Sequence, residues 1–128
     1  MRVLIVDDNA EFAAMLQAAL AMAGYQVQVA LNGPQALADQ YRFKAHAVIL
    51  DVFMPEMDGF ETLALIRKQF PVTRVIVASG SAKLDASHYL KAAELMGVDH
   101  TLRKPFEMSA LLERLESIRV SLKKEDGK

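Results

Sequence analysis

The chain has 128 residues, 52% of them hydrophobic, enough for one compact domain that buries roughly two-thirds of the surface of its unfolded chain. Its 15 basic and 16 acidic residues leave a net charge of −1, so there is no electrostatic ground for direct nucleic-acid binding or for an anionic membrane as partner. Cysteine is absent, which excludes a disulfide framework and thiolate metal sites.

The first apolar run, Val3-Leu4-Ile5-Val6, meets Asp7 and is too short for a signal peptide or membrane span, so a cytoplasmic setting is expected. From there, short runs rich in Val, Ile and Leu alternate with longer segments of helical period, the pattern of a parallel sheet covered on both faces. Strands are expected at 2–7, 25–30, 46–51, 73–79 and 99–103, and helices at 9–23, 34–43, 59–69, 84–96 and 106–122. Asp8 and Glu11 have capping-box-like spacing at the first helix start, and Gly24 ends that helix. Pro34 suits a first turn, Asp58-Gly59 a helix start, and Gly97 a helix C-terminus. In the last helix Leu111, Leu115, Ile118 and Leu122 form one apolar stripe. Residues 1–122 are expected to form the domain and 123–128 a flexible, solvated tail.

Reactive side chains stand where the strands end. The first strand runs into Asp7 and Asp8, the third ends on Asp51, the fourth on Ser79, and Lys104 follows the fifth. An open parallel sheet collects functional groups at the carboxyl ends of its strands. Singly, each residue has an ordinary structural role, as a cap, a loop hydroxyl or a solvated lysine. Jointly, three carboxylates, a hydroxyl and an ammonium at one edge point to a site. His46, His88 and His100 lack metal-ligand spacing, and Phe12, Met15 and Met22 suit core and helix-interface packing better than a cofactor box.

The stretches Val3-Leu4-Ile5-Val6-Asp7-Asp8-Asn9, Ala47-Val48-Ile49-Leu50-Asp51-Val52-Phe53-Met54-Pro55-Glu56-Met57-Asp58-Gly59, Val75-Ile76-Val77-Ala78-Ser79-Gly80, Gly97-Val98-Asp99 and Lys104-Pro105-Phe106 resemble the receiver domains of two-component response regulators. The resemblance implies an α/β, flavodoxin-like, doubly wound sheet of five parallel strands in the order 2-1-3-4-5 with five helices. It implies that Asp51 is the phosphoacceptor, that Asp8, Asp51 and the backbone carbonyl of Phe53 bind Mg2+ directly, and that Asp7 holds the ion through water. Lys104 and Ser79 would then contact the phosphoryl group, Ser79 doubling as a switch residue, and the Lys104-Pro105 peptide is expected to be cis. The implied partners are a histidine kinase or phosphotransfer protein and a downstream protein or fused output domain, with scope for a phosphorylation-dependent homodimer.

Two stretches depart from the pattern. Thr101 stands at the switch position where such domains usually carry an aromatic residue, three before the lysine, and the segment 79–97 is longer than the resemblance implies. Activation is therefore expected to run mainly through 79–97. Other functions remain open: a receiver fragment of a longer regulator or hybrid kinase, or a scaffold that works unphosphorylated. An aspartyl-nucleophile phosphatase fits less well, because Phe53 occupies the position where such enzymes place a proton-transferring aspartate. The chain is thus expected to be a signalling domain, not an enzyme, apart from self-catalysed phosphorylation and dephosphorylation.

Overall fold

The computed structural model describes residues 1–52, 59–80 and 86–126. Five strands, β1 (Arg2–Val6), β2 (Gln26–Ala30), β3 (Ala47–Asp51), β4 (Arg74–Ser79) and β5 (His100–Arg103), alternate with five helices. These are α1 (Ala10–Met22), α2 (Gly33–Phe43), α3 (Gly59–Gln69), α4 (Ala86–Leu95) and α5 (Met108–Asp126). All pairings are parallel and the order is β2-β1-β3-β4-β5, a doubly wound flavodoxin-like sheet.

Period-two alternation along the strands divides the interior into two cores. Leu4, Val6, Val48, Leu50, Val75 and Val77 face one way, against Leu63 and Ile66 of α3 and Ala93 of α4. Val3, Ile5, Ala47, Ile49, Ile76 and Ala78 face the other, against Leu16 and Leu20 of α1 and Leu111, Leu115 and Ile118 of α5. The central strands are buried on both faces, which is why they read as unbroken apolar runs.

Three local expectations change. The cap of α1 is Asn9, whose side chain accepts from the Phe12 N–H at 3.1 Å; Asp8 stands outside the helix. Helix α5 begins at Met108, after Glu107 has accepted bonds from Ala110 and Leu111, and it continues to Asp126. Lys123–Asp126 are therefore helical, not a loose tail. The Arg74 guanidinium, on β4, bonds Ser121 and pairs with Glu125, and Lys123 and Lys124 complement the negative helix end. Finally, Met15 is 55% and Met22 90% exposed; both lie off the stripe of Ala13, Leu16 and Leu20 that α1 buries. Of the expected fourth helix, residues 84 and 85 lie outside the described residues.

Candidate functional site

The winding order reverses between β1 and β3, which opens a crevice beyond their carboxyl ends. Asp7 continues the β1 ladder by donating its N–H to Ala30 O at 3.1 Å, Asp8 follows it into solvent, and Asp51 is the last residue of β3. Carboxylate oxygens of the three lie within 4.8 Å of one another. Asp7 and Asp51 are buried, at 3% and 7% exposure.

Ser79 ends β4, one position beyond Ala78, the register partner of Asp51. Its Oγ is buried and has no hydrogen-bond partner. An unsatisfied buried hydroxyl costs about 1 to 3 kcal/mol, so a group that arrives in the crevice with acceptor oxygens recovers that energy. Lys104 follows β5, and its Nζ lies 2.7 Å from Asp7 Oδ2 and 3.5 Å from Asp51 Oδ2. Gly80 allows this: a Cβ there would stand 2.8 Å from both Cβ and O of Lys104, while the Lys104 N–H donates to Ser79 O at 2.9 Å. The Lys104-Pro105 peptide is cis. The carbonyl of Phe53 lies outside the described residues.

Among the described residues, the Lys104 ammonium stands against three clustered carboxylates, an excess of negative charge. At about 4 Å and an effective dielectric of about 20, two like unit charges repel by about 4 kcal/mol, more than hydrogen bonds among neutral neighbours supply. The donors are all carboxylate oxygens, and exposed Asp8 leaves one side open to water. This is the donor set of a hard divalent cation such as Mg2+, and the residues fit it.

Away from the crevice, α4, β5 and α5 line an open groove of about 520 Å³ with Glu94, His100, Thr101 and Arg114 among its walls. Thr101 Oγ1 donates to Glu94 Oε1 at 3.4 Å. Burial holds the His100 imidazole below its ordinary pKa, Arg114 adds to the effect and Asp99 opposes it. His46 Nδ1 accepts the Arg2 N–H at 3.0 Å. One contact of the site is absent from the sequence-based expectations: the Lys104 ammonium lies 4.3 Å from the centroid of the Phe12 ring. The two residues are far apart in the chain, and no local pattern reports their meeting.

The family model of the response regulator receiver domain matches residues 3–116. The chain belongs to that family. Its receiver fold is similar to TrrA of Thermotoga maritima, solved in complex with Mg2+-BeF, at 30% identity and a TM-score of 0.80 over 91% of this chain and 97% of that one. Among curated proteins, this receiver is 31% identical over 118 residues to the transcriptional regulatory protein PrrA of Mycobacterium leprae. It is 33% identical over 120 residues to a CpxR homologue of Haemophilus influenzae. Each alignment covers 91% of this chain and 49% of the relative, so the receiver spans about half the length of the curated relatives it matches. Receiver domains are signalling domains, and among the described residues no helix is long and apolar enough to cross a membrane.

Proposed function

We propose that this receiver accepts a phosphoryl group on Asp51 from a phosphohistidine of a kinase or phosphotransfer protein, and that the modified crevice changes a protein-binding surface. The observation that carries the proposal is the buried Ser79 hydroxyl without a partner, on the strand next to Asp51 and beside an acidic cluster that already holds Lys104. Asp51 acts as a carboxylate nucleophile: its oxygen bonds to phosphorus as the phosphorus–nitrogen bond of the donor breaks, and the freed imidazole takes up a proton. Lys104 offsets charge on the phosphoryl oxygens, and the Ser79 O–H donates to one of them. Mg2+ would be held by Asp8 and Asp51 directly, with the Phe53 carbonyl, and by Asp7 through water; when bound it neutralises the repulsion between phosphoryl and carboxylate oxygens.

The output surface is the α4–β5–α5 face, whose α4 and β5 lie between Ser79 and Lys104 in sequence and where Glu94, Thr101 and Arg114 line an open groove. A downstream protein, a fused output domain or a second phosphorylated copy would dock there; relatives about twice as long support an output domain. Intact-mass analysis after treatment with a small phosphodonor and Mg2+ tests the site. We expect one phosphoryl adduct in the wild type, none without a divalent cation and none in Asp51→Asn. An equal adduct in folded Asp51→Asn would overturn the assignment.

A further inference from the structure

Lys104 has room to leave the crevice. Its side chain is 21% exposed, and a lysine that is not held spends its rotamer freedom in water. The two acids draw it inward from one side. The ammonium also lies over the ring of Phe12, a residue of α1, 4.3 Å from its centroid. The ring is fixed in turn by Phe106, edge to face at 6.1 Å and 79°. Phe106 follows Lys104 by two residues, so one aromatic pair touches both the ammonium and the segment that carries it. A ring face attracts an ammonium within about 6 Å of its centroid; an aliphatic side chain of similar bulk does not.

We propose that Phe12 is a positioning residue for Lys104: its ring face keeps the ammonium against Asp7 and Asp51, so that the charge already stands where the phosphoryl group arrives. The inference rests on Asp51 as phosphoacceptor, and Phe12 itself touches no reacting atom.

Two measurements test it. In the unphosphorylated wild type, the Lys104 Hε protons, seen by side-chain NMR, are expected upfield of the other lysines because they lie over a ring; Phe12→Leu returns them and Phe12→Tyr keeps them upfield. Phosphorylation by a small donor at fixed Mg2+ is expected to slow about three- to tenfold in Phe12→Leu, as for loss of a partly exposed cation–π contact, and to recover in Phe12→Tyr. In a Lys104→Ala background, Phe12→Leu should cause no further loss. Ordinary Hε shifts in the wild type would overturn the proposal whatever the variants do. So would a wild-type rate in Phe12→Leu, a Phe12→Tyr as slow as Phe12→Leu, or an undiminished effect in Lys104→Ala. A wild type that takes no phosphoryl group sinks the proposed function instead, and the Hε shifts still decide whether Phe12 holds the lysine.

Discussion

Gly59 begins α3 where a side chain has no room: a Cβ there would lie 2.0 Å from Val52 Cα and 2.6 Å from Asp51 O. The Gly59 N–H donates to Val52 O at 3.1 Å, so the helix start is docked directly on the strand end that carries the acceptor. A methyl group at 59 must push α3 away from β3, and because the obstacle is backbone, no rotamer change relieves it. Gly59→Ala is therefore expected to cost at least about 2 kcal/mol of stability, within the range of overpacked cores, measured by urea denaturation at fixed Mg2+. An unchanged midpoint would mean that the two segments are not in contact. At this scale the sequence was legible in chemistry and less so in contact. Asp7, Asp8, Asp51, Ser79 and Lys104 could be named because each stands at a strand end. The cap of α1 was misplaced by one residue, on Asp8 where Asn9 holds it, since adjacent residues of similar capping preference differ only in backbone angles. With Asn9 taking the cap, the Asp8 carboxylate is left free for the acidic cluster.

Between elements, the question is how a change at Asp51 reaches α4. Thr101 is too short to swing as an aromatic ring would, and its hydroxyl bond to Glu94 spans 3.4 Å at an exposed position, where a hydrogen bond contributes little net stability. In sequence Ser79 is the last residue of β4 and α4 is the next described element, so a signal that starts at the serine does not have to pass through Thr101 to reach that helix. We therefore expect beryllofluoride with Mg2+ to shift backbone NMR signals of Ala86–Leu95, and Thr101→Ala to leave most of those shifts in place. If Thr101→Ala keeps its fold and its binding at Asp51 yet loses the α4 shifts, Thr101 is the relay after all. Elements were the most legible level of the sequence: among the described residues, the five strands and five helices occur in the expected order, with ends close to those periodicity gives, apart from the end of α5. The end of α5 was not, because what holds its last turn is Arg74, on β4, reaching Ser121 and Glu125, and a long-range pair leaves no local pattern.

Across the whole molecule, the two apolar cores and the acidic crevice are products of one arrangement. Strands buried on both faces supply the cores, and the reversal of winding between β1 and β3 sets Asp7, Asp8 and Asp51 together at one end of the sheet. Folding thus concentrates charges that the unfolded chain keeps apart, and the repulsion among them opposes the packing that brings them together. A cation that binds the assembled cluster and not the dispersed residues shifts the folding equilibrium by mass action. At about 100 times its dissociation constant, the gain is about 2.7 kcal/mol. Thermal unfolding with Mg2+ is therefore expected to show a raised midpoint relative to a monovalent salt of the same ionic strength, a control that removes general screening. Because Asp8 is exposed, Asp8→Ala should fold and lose most of the rise. The acidic cluster would have no role as a cation site if saturating Mg2+ left the wild-type midpoint unmoved, or if Asp8→Ala gained as much as the wild type.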